Sequence, residues 1–379
     1  FEEREYRGHK VYKADKALMT TIGQWLLVTN NADLGRAVVD NLLDENNETL
    51  AGKQSFRAAR KSISGKPVAW AYADILALRE AGVAKEFYKE KSDNPGVELL
   101  VGGVLATLKN TNTATAAIYL EDEQLRVAFK VPHDPAKIPE IKEFYFGKGG
   151  EGSAPLALKP KHQLLAVTSY RDVGEMWRRR SDLFNEDVNA GLAQADSGLS
   201  TVFAGLDFGR EVLGALKPQV QIISSAQNFV DRETRVPNIK LPATAMVFQL
   251  KEPEKMQRQL KVSFQSLIGL TNLGAGQNEL PQLELKTEKM EDGQLISATY
   301  ENLPDDAEVS NDIIYNFSPT LAFVGDHFIV SSTRELAVEL MDLAQGDAQP
   351  RAEDRVVNSH MHIDNQVLRQ ILVDNREAL

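Results

Sequence analysis

The sequence predicts an α+β protein built from duplicated modules of mostly antiparallel strands, with helices packed on one face. Three observations support this fold class. Apolar strand patterns are joined by tight turns, capped helices follow them, and one such block recurs near the C-terminus. Of the 379 residues, 42% are hydrophobic and 26% are charged, which is typical of a globular chain. At roughly 100–200 residues per domain, we expect two or three domains.

The N-terminal part begins with a hairpin, followed by two strands and a helix. Alternating residues flank Arg7-Gly8, which predicts the first turn. Gly23-Gln24 predicts a second turn before the continuous apolar strand Trp25–Val28. Asn31 or Asp33 is placed to cap the helix that follows. The apolar face of this helix consists of Leu34, Val38 and Leu42.

The next elements alternate between helices and strands. A second helix is predicted around Ser55–Ile63, before a break at Lys66-Pro67. The strand Val68–Tyr72 follows, and Asp74 is placed to cap another helix. The same patterns then predict an apolar helix and two strands joined by an acidic turn, at Gly96–Lys109, Thr115–Leu120 and Gln124–Val131.

A glycine-rich segment at Gly147–Pro155 is the best linker candidate, because it lacks large apolar residues. We therefore predict a first α+β module over residues 1–150, truncated at its N-terminus, and a second, related module over residues 151–379.

The second predicted module has strands at Gln163–Thr168 and Val220–Ser224, with a helix over Leu199–Leu216 between them. Pro253 marks the first turn of a helix after a strand at Leu241–Leu250. Further elements are a helix capped by Asp172 and a hairpin about Asp292-Gly293.

An internal repeat links the two ends of the chain. Gly325 lies 302 residues after Gly23, and at this shift Thr320–Ala344 matches Leu18–Leu42. Each segment reads as strand, glycine turn, apolar strand, cap and helix. The match continues with Ser359–Ile363 and Asp364, which parallel the strand and cap ending at Asp74. We interpret this agreement as a structural duplication.

Charge and cysteine content exclude several classes of protein. With 43 basic and 54 acidic residues the net charge is −11, which disfavours nonspecific nucleic-acid or anionic-membrane binding. The absence of cysteine excludes disulfides, thiol nucleophiles and cysteine-ligated metals, and it favours an extracytoplasmic location, periplasmic or secreted. No apolar run reaches the roughly 18 residues of a membrane span. Because the sequence opens at Phe1 within a strand pattern, we expect a longer precursor with room for an upstream signal peptide or anchor.

The sequence lacks the common nucleotide-binding, zinc-protease and hydrolase motifs, and we assign no catalytic, cofactor-binding or metal-ligating residue. The strongest chemical candidate is His360, His362 and Asp364, which project from one face of a strand and have donors suited to zinc. The alternative, which we favour, is that they match Trp70, Tyr72 and Asp74 as two packing positions and a helix cap.

Three further clusters have a structural interpretation that we favour over a chemical one. Asn185, Asp187 and Asn189 have the oxygen spacing of a calcium loop, but the glycine comes one position late, so we expect a helix start. Arg178-Arg179-Arg180 can grip an anion, yet a solvated helical face explains it. Asp305-Asp306 is expected to form a solvated turn rather than an acid pair. The remaining histidines considered, without triad spacing, are His133 and His162.

The chain resembles bacterial proteins of the DUF3352 type and secreted proteins of planctomycete-like bacteria. The matching segments share apolar strands, a capped helix and a strand opening, and they are Gln24–Asn31, Ser55–Arg60, Tyr72–Asp74, Leu206–Leu213 and Leu241–Leu250. The C-terminal repeat departs from this pattern, since Pro350–Arg355 stands where a second Phe-Arg-Ala-Ala-Arg segment is expected. The resemblance implies an exported or membrane-anchored α+β protein and supplies no activity.

We therefore expect a noncatalytic extracytoplasmic binding, scaffold or envelope-associated protein, with a protein or envelope partner and no nucleic acid. The oligomeric state is left open. One alternative is a carrier of an apolar ligand or lipid, lined by Trp25–Val28, Phe323–Val330 and Ala243–Phe248. The other is a metal-assisted hydrolase that uses His360 and His362.

Overall fold

A computed structural model describes most of the chain. The described residues are 2–44, 49–83, 85, 91–121, 124–132, 134, 136, 140–203, 205–230, 235–278, 280–300, 312–346, 357–376 and 378. His133, Asp305-Asp306 and Pro350–Arg355 lie outside these ranges.

The described strands are all short and pair antiparallel wherever a ladder is recorded. They are β1 (Glu2–Tyr6), β2 (His9–Ala14), β3 (Ala17–Ile22), β4 (Trp25–Thr29), β5 (Ala69–Asp74), β6 (Thr113–Glu121), β7 (Gln124–Lys130), β8 (Gln163–Tyr170), β9 (Leu216–Ser225), β10 (Ala243–Leu250), β11 (Leu283–Met290), β12 (Gly293–Tyr300), β13 (Thr320–Val324), β14 (His327–Ser331) and β15 (Ser359–Ile363).

The described α-helices vary in length from one turn to seven. They are α1 (Ala32–Leu43), α2 (Gln54–Ser62), α3 (Ile75–Glu80), α4 (Pro95–Asn110), α5 (Val173–Arg178), α6 (Arg180–Leu183), α7 (Glu186–Val202), α8 (Pro253–Gln277), α9 (Arg334–Gln345) and α10 (Asn365–Asp374). The fold is α+β, as the sequence predicts. No described helix combines the length and the apolar character needed to cross a membrane.

The chain divides into two compact units. The smaller unit comprises Phe1–Ile75, Thr113–Leu120 and Arg126–Lys130, and the larger unit contains the rest. The boundary that the sequence predicts between residues 150 and 151 lies within the larger unit, and it stays a prediction.

The smaller unit contains two small sheets. The first has the order β1-β2-β3-β4, and α1 packs against β3 and β4. The second has the order β5-β6-β7. Phe56 of α2 packs on its aromatic residues, with ring centroids 5.9 Å from Trp70 and 5.2 Å from Tyr72. Arg60, one turn further along α2, lies 5.0 Å over the Trp70 ring. The aromatic positions of β5 therefore serve packing, which confirms that part of the interpretation.

The larger unit is organised by an eight-stranded antiparallel sheet with the order β11-β12-β13-β14-β10-β9-β8-β15. One face packs on α9, in a core that includes Ile329 and Leu340. The other face packs on α8, where Met256 and Leu260 meet Phe323. The sequence predicts helices on one face of the strands, and the β1–β4 sheet has this arrangement. The eight-stranded sheet is covered on both faces, because its central strands are apolar on both sides.

The internal repeat is present in the structure with the same elements and the same register. At the shift of 302, the segment Leu18–Leu43 (the first copy) aligns with Thr320–Gln345 (the second copy). Thr20 faces Leu27 in the first copy, and Ala322 faces Ile329 in the second. The turn glycines, Gly23 and Gly325, have φ of +56° and +55°. The match also includes the preceding hairpin, since β11-β12-β13-β14 repeats the order β1-β2-β3-β4.

The helix predicted over Leu199–Leu216 differs from the structure. Helix α7 ends at Val202, and Gly205 has a left-handed φ of +87° that stops the helix. Asp207 then caps a short π-helical turn, Phe208–Val212, and Leu216 already begins β9. Apolar residues continue at helical spacing on both sides of this break. For this reason the pattern predicts one helix where the structure has two shorter elements.

Candidate functional site

In the second copy, a further strand lies beside the repeated unit. Strand β10 pairs antiparallel with the outer side of β14, with Met246 opposite Val330 and Phe248 opposite Phe328. Backbone bonds of 2.8 Å at both ends of the ladder, Ser332 N–H to Thr244 O and Leu250 N–H to Asp326 O, show which groups point outward. Since alternate residues point the same way, the backbones of Phe328 and Val330 face β10.

In the first copy the corresponding side of β4 has no neighbouring strand among the described residues. The positions that match Phe328 and Val330 are Leu26 and Val28. Ile22 and Trp25 flank the two-residue turn, so their pair is hydrogen-bonded and the backbones of Leu26 and Val28 point away from β3. We call this side of β4, with the side chains of Trp25, Leu26, Val28 and Leu34, the open edge.

Side-chain exposure also differs between the two copies on the sheet face away from α1 and α9, where Phe328 belongs to the core formed with α8. Leu26 is 67% exposed, whereas its match Phe328 is 8% exposed. Trp25 and Val28 are 63% and 55% exposed, and Val330, the match of Val28, is 40% exposed although it pairs with β10. An unpaired strand edge without charged residues can add another strand through its free N–H and C=O groups. The open edge is therefore the strongest candidate for a binding surface.

Helix α1 contributes to the same surface. Leu34 is 59% exposed, whereas its match in α9, Leu336, is 3% exposed. Leu336 is buried because the small inward residues of β10, Ala243, Ala245 and Val247, belong to its core. Among the residues that the structure describes, no strand lies beside β4 to cover Leu34 in this way.

A cavity of about 130 Å³ lies between the β1–β4 sheet and α1. Thr20, Leu27 and Val39 form part of its wall, and Arg36 and Tyr6 add polar groups. This volume is well below the roughly 300–1,000 Å³ of typical small-molecule sites.

Charged groups fix the β1–β2 turn against α1 at the far end of this sheet. Arg7 donates to Asp40 at 2.9 Å and to Asp44 at 2.6 Å. The guanidinium of Arg7 hydrogen-bonds to Asp44 and lowers the pKa of that carboxyl group. In Tyr6, burial and the hydrogen bond to Asp40 raise the pKa of the phenol. These contacts join α1 to the β1–β2 turn of the sheet.

A buried polar network in the larger unit is the most unusual electrostatic feature of the described chain. Arg171, at the end of β8, is 1% exposed. Its guanidinium donates to the carbonyl of Leu99 in α4 at 2.9 Å, to Asn358 Oδ1 at 2.9 Å and to Ser359 Oγ at 3.2 Å. Burial lowers the pKa of Arg171 to about 10. Because its donors bind carbonyl, amide and hydroxyl oxygens, Arg171 joins α4 to the start of β15.

Glu98 and Tyr145 complete this network. The Tyr145 hydroxyl donates to Glu98, and Lys142 lies 3.2 Å from the same carboxylate. Burial, followed by the charge of Glu98, raises the pKa of Tyr145 well above its ordinary value. Arg171 also lies 5.1 Å over the Tyr145 ring. Every charged group here has a partner within the chain, so the arrangement is that of a structural clamp.

The structure places the candidate metal residues in separate roles. Asp364 caps α10 by accepting from the N–H groups of Gln366 and Val367. His362 lies 3.2 Å from the amide of Gln163, and His360 is exposed on β15. Among the described residues, no group of three or more His, Asp or Glu side chains is arranged to hold a metal ion.

The other two clusters belong to helix ends. Asn185 caps α7, and Asn189 donates to the carbonyl of Phe184 at 2.8 Å, so this segment is the helix start that we favour. Of the three arginines, Arg178 and Arg179 pair with Glu175. The third, Arg180, pairs with Asp196 at 3.1 Å and lies 5.3 Å over Trp177. His162 occupies the turn before β8, with a φ of +53°.

Sequence analysis missed both the open edge and the buried arginine. The repeat is visible in the sequence. Whether its edge is covered depends on the pairing of β10 with β14, about 80 residues away in the chain, and this pairing has no local signal. Arg171 lies between a predicted strand and the cap Asp172, where a polar residue is common, and the sequence gives no sign of its burial because arginine is rarely fully buried.

Comparisons with known proteins identify one family. A family model described as "Protein of unknown function (DUF3352)" matches residues 1–261. The match covers more than half of the chain. Searches of curated proteins and of solved structures found no match.

Proposed function

The chain belongs to the DUF3352 family, and we propose that it is a noncatalytic binding or scaffold protein that receives a polypeptide at the open edge. The observation that carries this proposal is the contrast between Leu34, 59% exposed, and Leu336, 3% exposed in the core that contains β10, at matched positions of the two copies. The second copy buries this position against its own chain, whereas the first presents it to solvent.

We place this activity outside the cytoplasm, in the periplasm or in the secreted fraction. The support for this part of the proposal is the absence of cysteine from all 379 residues. Fractionation of the native host, with detection of the protein in each fraction, tests it. Recovery in the cytoplasmic fraction alone would contradict it.

The noncatalytic part of the proposal is supported by how the unusual polar groups are used. Arg171, Glu98 and Tyr145 are buried and bind groups of the chain itself, among them the Leu99 carbonyl, Asn358 and Lys142. Asp364 is committed to a helix cap. These residues are explained by structure, and an active site would need groups that are left available for substrate.

Site-specific photo-crosslinking tests the binding function directly. A photoreactive phenylalanine analogue replaces Leu26 in the full-length protein within its native host. Leu120 provides a matched control, because it is also a leucine, is also 67% exposed and also belongs to the smaller unit.

We expect a discrete polypeptide adduct from position 26 and no such adduct from position 120. Equal labelling at the two positions, or no adduct at position 26, would contradict the proposal. Mass spectrometry of the digested adduct then identifies the residues of the partner that touch the open edge.

Two alternatives make different predictions. A carrier of an apolar ligand should retain a lipid or other adduct in native mass spectrometry of gently prepared protein. A metal-assisted hydrolase that uses His360 and His362 should lose metal uptake when both are replaced by alanine. A bare mass and unchanged metal content in the double variant would leave the binding function as the better account.

A further inference from the structure

We propose that the occupant of the open edge is an extended, uncharged segment of a partner polypeptide that pairs antiparallel with β4, as β10 pairs with β14. This inference rests on the proposed binding function and specifies the chemistry of its partner. The second copy supplies the evidence, because it contains the same repeated unit with the neighbouring strand in place.

The register of the second copy specifies which backbone groups the partner meets. Met246 and Phe248 stand opposite Val330 and Phe328. At the shift of 302 these two β14 positions are Val28 and Leu26. The partner should therefore bind the outward N–H and C=O groups of Leu26 and Val28 and leave the β3–β4 hydrogen bonds intact.

The side chains of β10 indicate which residues the partner presents to helix α1. The face toward α9 has Ala243, Ala245 and Val247, which pack in the core that contains Leu336. A matching segment therefore presents small or β-branched residues to Leu34. No residue of Ala243–Leu250 is charged, which suits an edge whose exposed residues are also uncharged.

A second copy of the chain fits the open edge less well. Its own β4 carries Trp25 and Leu27 on the face where β10 carries alanine and valine. Bulky residues at these positions would crowd Leu34 in a two-fold arrangement. A heterologous strand of the β10 type avoids this crowding.

A synthetic peptide tests the inference. The probe is the sequence of Leu241–Leu250 followed by two lysines for solubility, titrated into the intact protein by isothermal calorimetry up to about 1 mM. The control peptide carries M246P, which removes the N–H that pairs with β14 in the chain itself. The control protein carries V28P, which removes an outward N–H of β4.

We expect one peptide to bind per chain and both proline changes to weaken binding at least tenfold. Binding that survives V28P would overturn the inference, because it would come from exchange into the larger sheet or from another surface. The absence of binding up to the highest concentration would overturn it as well. If V28P loses β-structure by circular dichroism, hydrogen exchange of the unchanged protein decides, because the peptide must protect the amides of Leu26 and Val28 and leave those of β14 unchanged.

The outcomes separate this inference from the function on which it rests. A polypeptide adduct at position 26 without peptide binding would leave the binding function in place and reject the β10-type occupant. Self-association that V28P abolishes would replace the proposed occupant with a second copy. Failure of both the adduct and the peptide would reject the two proposals together.

Discussion

Leu34 and Leu336 occupy the same position of two repeated helices, yet Leu34 is 59% exposed and Leu336 is 3% exposed. The local structure around them is the same, with matched hairpins and side-chain caps at Asn31 and Thr333. The difference follows β10, which shares a core with Leu336 and has no counterpart beside the first copy in the part of the chain that the structure describes. Burial at a repeated position is thus decided by the neighbouring strand and not by the repeat itself.

Alanine substitution at these two positions should therefore have unequal effects on stability. Leu336→Ala removes a buried side chain from the core of the larger sheet, and we expect the free energy of unfolding to fall by about 2–5 kcal/mol. Leu34→Ala should change it by about 0.5 kcal/mol or less. Urea unfolding of the two variants measures both effects, and equal losses would show that Leu34 is covered.

Comparison of Gly35 and Thr29 with their matches in the second copy predicts that a substitution at one position compensates for a substitution at the other. A Cβ at Gly35 would lie 2.9 Å from Thr29 Cγ2, which is too close. In the second copy the same positions are Ala337 and Ser331. Alanine adds a methyl group relative to Gly35, and serine lacks the methyl group of Thr29. Gly35→Ala should destabilise by about 1–2 kcal/mol through this overpacking.

Thr29→Ser should relieve the cost of Gly35→Ala, since serine keeps the hydroxyl that bonds Asn31 and lacks the methyl group. The double variant should be at least as stable as the wild type, because alanine favours a helix more than glycine does. A double-mutant cycle from thermal or urea unfolding gives the coupling energy. Additive effects of the two changes would contradict the predicted clash.

The buried arginine should be the most sensitive charged residue of the larger unit. Arg171→Met removes the donor to the carbonyl of Leu99, to Asn358 Oδ1 and to Ser359 Oγ from a buried site, and we expect a loss of about 3 kcal/mol or more. Arg178→Met is the control, since its side chain is 57% exposed and its pairing with Glu175 should be worth about 0.5 kcal/mol. Similar losses for the two variants would argue against a clamp at Arg171.

The ion pair between β11 and α9 predicts a dependence on acid. Arg334 donates to both oxygens of Glu288 at 2.7 and 2.8 Å, and this hydrogen bonding lowers the pKa of Glu288 from its ordinary value of 4.5. A carboxyl group with a lowered pKa stabilises the fold above pH 4.5, and that stabilisation is lost as the pH falls through the lowered pKa.

Urea midpoints of the wild type and Glu288→Gln between pH 7 and pH 3 measure this effect. The two proteins should differ by at most about 1 kcal/mol at pH 7, and the difference should shrink toward pH 3. A difference that stays constant over this range would rule out titration of Glu288 as its source.

Local features of the fold could be predicted from the sequence because they depend on nearby residues. Asn31 and Asp364 cap helices as expected, and the turn at Gly23 requires a positive φ that glycine adopts readily. Pairing between distant strands could not be predicted, because nothing in the sequence of β14 names β10 as its neighbour. The open edge depends on that pairing and therefore became visible only when the two copies were compared in three dimensions.

Hydrogen exchange at β4, followed residue by residue, tests the central claim most directly. In the unbound protein, we expect the amides of Leu26 and Val28 to exchange rapidly, while that of Leu27, which pairs with β3, exchanges slowly. The β10-type peptide should slow exchange at Leu26 and Val28 at least tenfold and leave Leu27 unchanged. Slow exchange at Leu26 and Val28 before any peptide is added would contradict the claim, because the edge would already be paired.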